Sequence, residues 1–273
     1  MSFDAVESYP VRRRLLLSRA DDASDLWLPF ERNVERRNTA SPSKPRKTNW
    51  QRPELIRGSD VRKVRTRGKT GYTADVPMTR LRRKIISAEN MLQADFILVT
   101  DAQDNDVEGV ISQPLKLDIF VDGHRQRWIP DYMIKRQAGP RELVDVKFLI
   151  LVRPADQKAR QKVLQQFEAC EIAANKAGYV YRLVTEQEIR IEPMLYNARL
   201  IHRHSGPFGD QALLLKALMA VAKLGSNSSI AELGSAVRRP EAAIELAIRL
   251  DRLGHIRLDR SFRFNRLAHF ALT

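Results

Sequence analysis

A single cysteine, Cys170, in a chain of 273 residues excludes an internal disulfide and any Cys-x-x-Cys metal site. A lone cysteine fits a reducing compartment. Its place inside a helix predicted over 158–176 gives it a packing role. Long apolar runs are also missing: none approaches the ~20 residues that cross a bilayer. The first nine residues lack a basic stretch followed by an apolar one, so no secretory signal is read there. The expectation is a cytoplasmic protein with no membrane partner. Histidines are few and scattered, at 124, 202, 204, 255 and 269. His202 and His204 share one face of a segment read as extended, but no cysteine or further acid stands nearby. A surface loop is therefore the favoured reading over a metal site. Gly58, Gly68 and Gly71 do not make a phosphate-binding P-loop, since the chain has no G-x-x-x-x-G-K-[ST] there.

Positive charge is what the chain has in excess. Lys and Arg number 47 against 33 Asp and Glu, a formal net charge of +14. Such a charge favours a polyanionic partner, because each neutralised phosphate releases condensed counterions. Residues 1–85 hold 21 of the basic residues and 10 of the acidic ones, so most of the excess lies at the N-terminal end. Within it, Arg62, Lys63, Arg65, Arg67 and Lys69 read as a basic strap against a DNA backbone, giving affinity without sequence choice. With 43% hydrophobic residues the remainder can bury a core.

Three regions are expected: a basic N-terminal arm over 1–79, an α/β domain over 80–200 and a second domain over 201–273. In the first domain, apolar residues at Leu81, Ile85, Ala88, Leu92, Phe96 and Leu98 predict a helix over 81–98. Strands follow over 107–113 and 115–121, with Asp122-Gly123 as a hairpin turn. A third strand is read over 125–134 and a long, mostly apolar one over 142–152, the signature of a central sheet position. A helix from Pro154 to about Lys176 is stopped by Gly178. A last strand covers 179–184, and Thr185 with Glu188 forms a capping box. In the second domain, helices are predicted over 210–224, 230–237 and 241–253. An alternating tail at 255–259 and 262–264 suggests a hairpin, so the pattern is that of a winged helix-turn-helix. Arg249 and Arg252 on its third helix, and Arg257, Arg260 and Arg263 on the wing, are the DNA-contact candidates there, although docking to a protein fits that unit equally well.

The chemistry concentrates in Pro130-Asp131 and, fourteen residues on, Asp145-Val146-Lys147. Side chains alternate along a strand, so Asp145 and Lys147 project from one face of an otherwise apolar segment. An unpaired buried charge is costly. A hard cation such as Mg²⁺, with Mn²⁺ as substitute, removes the cost if Asp131, Asp145 and the Val146 carbonyl supply oxygen ligands. Lys147 then orients or deprotonates a water and stabilises charge on phosphorus. Glu89, on the preceding predicted helix, completes the set. Trp128 is read as core packing. A structural salt bridge would explain Asp131, Asp145 and Lys147 taken alone; the ordered set of four is more specific.

The order E…PD…DxK resembles the restriction-endonuclease-like superfamily. More narrowly, the chain resembles the TnsA family, the endonuclease subunit of heteromeric prokaryotic transposases. Three stretches carry the likeness: residues 87–95 around Glu89, Gln113-Pro114-Leu115-Lys116-Leu117, and Leu183-Val184-Thr185-Glu186-Gln187-Glu188-Ile189. It runs over about 71–191 and continues more weakly beyond. Asp145 occupies a position at which Gln or Glu also occurs in that family, and the leader before residue 58 has no counterpart. The resemblance implies a restriction-endonuclease-like mixed sheet flanked by helices. It also implies cutting of the non-transferred strand at transposon 5′ ends, beside a DDE transposase and an AAA+ ATPase regulator, on double-stranded DNA. Two other readings stay open. A stand-alone restriction or repair nuclease would cut DNA without partners. A non-enzymatic DNA-binding assembly factor would bind no ion between Asp131 and Asp145.

Overall fold

A computed structural model describes residues 72–79, 85–103, 106–205 and 209–273. The strap residues Arg62, Lys63, Arg65, Arg67 and Lys69, like the rest of the expected arm up to residue 71, lie outside the described residues. The chain is a mixed α/β protein. Its centre is a four-stranded sheet in the order β3 (Val107–Ser112), β6 (Tyr132–Arg136), β7 (Glu142–Val146) and β8 (Val180–Val184). The first three pair antiparallel and β7 pairs parallel with β8. Alternation sorts the side chains. Tyr132, Ile134, Val144 and Val146 face one core, under helix α1 (Met91–Gln103) and the ribbon of β1 (Ala74–Pro77) and β2 (Ile85–Ala88). Leu143, Met133 and Tyr181 face another, covered by the hairpin of β4 (Leu117–Val121) and β5 (His124–Trp128) and by helix α3 (Gln157–Lys176).

Several expected elements form where their local chemistry puts them. Asp122 and Gly123 both have positive φ, at 51° and 74°, as a two-residue hairpin turn whose twist suits its strands requires. Glu188 accepts from the Thr185 N–H at the start of helix α4 (Glu186–Ile189), as the capping box predicts. Asp156 caps α3 by accepting from Ala159 N at 2.7 Å, so this helix begins at Gln157 rather than at Pro154.

Others are corrected. The expected helix over 81–98 is β2 followed by α1, and Glu89 lies in the turn between them, not on a helix. Residues 125–134 are two strands, broken at Ile129-Pro130-Asp131. The strand expected over 142–152 ends at Val146, and residues 149–152 form a short helix, α2 (Leu149–Val152). Its partner strand ends at Val184, so after Lys147 N–H donates to the Val184 carbonyl no ladder is left to join. Two residues on, Leu149 N donates to Glu186 Oε2 at 2.7 Å. The segment holding His202 and His204 is helix α5 (Met194–His204), where residues two apart do not share a face.

Residues 209–273 hold helices α6 (Gln211–Leu224), α7 (Ile230–Ala236) and α8 (Ala243–Arg252), capped by Asp210 and by a Ser229–Glu232 capping box at the first two. Strands β9 (Ser228–Ser229), β10 (Ile256–Leu258) and β11 (His269–Leu272) form an antiparallel sheet in the order β10-β11-β9. The second strand of the expected hairpin is therefore 269–272, not 262–264. Buried Asn197 of α5 takes the latter segment instead: its amide donates to the Phe262 carbonyl at 2.8 Å and accepts from Phe264 N at 2.9 Å. The expected boundary between residues 200 and 201 falls inside α5. Among the described residues no helix is long and apolar enough to cross a membrane.

Candidate active site

The break at Pro130-Asp131 and the end of β7 bring the singled-out residues together. Asp131, 8% exposed, turns its carboxylate towards the end of β7: Oδ2 accepts from Val146 N at 2.8 Å and from Lys147 Nζ at 2.9 Å. Its own N–H donates to Asp145 Oδ1 at 3.3 Å. Oδ1 of Asp131 makes no hydrogen bond among the described residues. Asp145, 3% exposed, is held at its other oxygen as well. Oδ2 accepts from Trp128 Nε1 at 3.0 Å and from the Tyr181 hydroxyl at 3.2 Å. Those two rings meet edge to face with centroids 5.4 Å apart.

Glu89 approaches from the β2–α1 turn. Its N–H donates to Gln93 Oε1 at 2.7 Å, and its carboxylate accepts from Gln113 Nε2 at 3.1 Å. Gln113 in turn donates its backbone N–H to the Asp131 carbonyl at 2.9 Å, so one side chain ties Glu89 to the Asp131 turn. Gln113 sits at φ 45° and is 3% exposed. A buried, left-handed, non-glycine residue is strained unless its surroundings hold it.

Electrostatics follow from burial and like charge. Desolvation, and then the neighbouring Asp131, push the Asp145 carboxyl from 3.8 up to about 6 against the pull of Lys147 and the Trp128 N–H. Burial alone would depress the Lys147 ammonium; Asp131 and Asp145 outweigh it and hold the group above its ordinary value. Lys147 stays protonated at neutral pH and is partly exposed, over about a third of its side chain. Burial also pushes the Cys170 thiol up to about 12, which suits the packing role read for it.

The donor set suits a hard divalent cation in chemistry and charge. Asp131 and Asp145 are two buried carboxylates facing one ammonium, Lys147, and Glu89 adds a third carboxylate to one side. The geometry is that of two linked carboxylates with a third to one side. Among the described residues no three acidic, histidine or cysteine side chains stand at metal-ligand spacing. Asp131, Asp145 and the Val146 carbonyl remain the residues that would hold an ion, in a shell completed by water and phosphate oxygen.

Reasoning from sequence missed three members. Trp128 packs as read, but also donates to Asp145; Tyr181 and Gln113 were not singled out for the site. The signal for Trp128 and Tyr181 was the rule that a buried indole or phenol seeks a polar partner. For Gln113 there was none beyond its place before Pro114.

The DNA candidates in the C-terminal unit fare differently. Arg249 is 1% exposed, and Arg252 is buried against Asp101 and Thr79, so neither can reach a duplex from α8. Arg260 is paired with Asp251 at 2.7 Å. Arg263 lies over the Tyr196 ring and 3.5 Å from Glu192. Arg257 is exposed on β10 and makes no ion pair among the described residues. His202 Nε2 lies 3.1 Å from the Pro77 carbonyl. No family model matches the chain, and no curated protein matches it.

Proposed function

We propose that the chain is a Mg²⁺-dependent DNA endonuclease, also served by Mn²⁺, that cuts the non-transferred strand at transposon 5′ ends in the cytoplasm. Its proposed partners are a DDE transposase and an AAA+ ATPase regulator, in the manner of the TnsA family it resembles. One observation carries the chemistry: Asp131 and the Asp145-Val146-Lys147 segment interlock at the ends of the two inner strands of the sheet, with a protonated, partly exposed ammonium on the buried Asp131 carboxylate. The sheet order β3-β6-β7-β8 with helices on both faces is compatible with a restriction-endonuclease-like domain, and residues 209–273 with a winged helix.

A bound cation would polarise the scissile phosphate and acidify a water. The chain's own groups divide the remaining work. Asp131 presents Oδ1 while its other oxygen is fixed by Val146 N–H and Lys147. Asp145 aligns the Asp131 turn through its main-chain N–H. Lys147, held protonated, favours charge stabilisation at the phosphoryl oxygens over proton abstraction.

The test is strand-specific cleavage by the reconstituted complex with wild-type chain, Asp131→Ala and Lys147→Ala. Cutting at 5′ ends should vanish in both variants while 3′ joining continues. Persistent 5′ cutting in both overturns the site. The competing reading, a non-enzymatic assembly factor, draws on one observation: both oxygens of Asp145 are already engaged. It expects no 5′ cutting by the wild-type chain either.

A further inference from the structure

We infer that the N-terminal half of α3, with the turn leading into it, is a docking surface for the backbone of duplex DNA. This rests on the nuclease reading and adds the substrate-contacting element to it. The segment starts six residues beyond Lys147 and follows the candidate site along the chain: β7, then α2, then α3. Arg153, Lys158, Arg160 and Lys162 are all exposed there. From Gln157 to Phe167 the helix contains three basic residues, four glutamines and no acid. Its first buried residue is Ala169, so the leading half stands clear of the core.

Such a helix does not neutralise itself. Lys158 and Lys162 are four apart on one face, a like-charge spacing that disfavours a helix on its own. Arg153, Lys158 and Lys162 make no ion pair among the described residues, and Arg160 bonds only the Pro154 carbonyl. Some exposed cations elsewhere are paired, Arg125 with Asp118, Lys135 with Glu108 and Arg239 with Glu241, but among the described residues none of the others that stand alone is clustered as these are on one helix end. An unneutralised cationic face that follows the proposed nuclease site along the chain, on a helix whose other half packs behind that site, matches a ligand with regularly spaced negative charge. Lysine, arginine and glutamine supply the donors that reach phosphate oxygens. A protein partner with an acidic face is the other occupant, and it would show no duplex dependence.

The test is binding of the full chain to a 30-base-pair duplex, followed by fluorescence anisotropy across a salt series without divalent metal. The variant is Lys158→Gln, Arg160→Gln and Lys162→Gln combined. Glutamine keeps helix propensity, and circular dichroism verifies the fold. The slope of log affinity against log salt should fall by about 2 to 3, since each phosphate contact contributes about 0.9. The same combined change at Lys216 and Lys223 on α6 should leave the slope unaltered. An unchanged slope in the α3 variant, or an equal fall in the α6 control, overturns the inference. A wild-type chain that binds but never cuts in the complex instead defeats the nuclease reading and leaves this surface standing.

Discussion

The carboxyl of Asp145 lies under three donors and beside a second carboxylate, and the balance between them is measurable. Its folded value of about 6 exceeds the ordinary 3.8. Between those values the native chain keeps a proton that the unfolded chain has released. The stability this group contributes is therefore complete below about pH 4 and lost as pH rises through about 6. The loss is on the order of 3 kcal/mol for a displacement of this size. Asp145→Asn cannot lose it. The amide does cost something at every pH, because its N–H₂ must face at least one of the Trp128, Tyr181 and Asp131 donors. Urea unfolding in chelator from pH 4 to pH 8 should show the gap between variant and wild type moving in the variant's favour as pH rises. A gap constant with pH, or one moving the other way, contradicts the charge balance. Trp128→Phe removes a hydrogen bond that favours the ionised form, so it should move the midpoint of the wild-type change to higher pH.

At the scale of elements, a buried anion fastens α1 to the segments behind it. Asp95 is 1% exposed, and its two oxygens accept from Arg190 at 2.9 Å and Arg199 at 2.8 Å. Removing both arginines strands a carboxylate in the core, at about 3–5 kcal/mol. Asp95→Asn leaves two partly exposed guanidinium groups, which water can serve, and should cost much less. Denaturant unfolding of the two variants checks the ordering; equal losses would assign the stability to packing alone. The same scale shows what could be read from the chain. Turns and caps were legible because their chemistry is local: Asp122-Gly123, and Thr185 with Glu188. Elements decided by distant partners were not. Residues 148–152 are as apolar as the strand before them, yet β8 had already ended and Glu186 accepts the Leu149 N–H. The spacing of Ile85 and Ala88 imitates a helix, while the chain there pairs with β1. Within the site, Asp131, Asp145 and Lys147 were legible as a set because their order along the strands brings them together. Gln113 was not, because its role depends on a left-handed backbone that sequence does not announce.

Over the whole molecule, α1 belongs to two cores at once. Leu98 and Val99 pack against both the sheet-side core and the C-terminal one, and Ala102 is buried among Ala198, Ile201 and Leu214. Arg252 of α8 closes the junction: it donates to Thr79 Oγ1 at 2.6 Å and lies 3.7 Å from buried Asp101, which also accepts from Thr79 N. Two regions that share a helix, an apolar core and a buried ion pair have little means of unfolding separately. The described body should therefore melt in one calorimetric transition. Arg252→Ala removes a cation beside buried Asp101 together with its bond to Thr79, and should lower that single transition by several degrees, on the order of 5 °C, without splitting it. Two resolved transitions in the wild type, or a variant in which only the C-terminal helices melt early, would show that the junction is a contact between independent domains. In that case the C-terminal unit would be able to part from the sheet and expose α8, and Arg249 and Arg252 would again be open to a DNA role that the folded arrangement denies them.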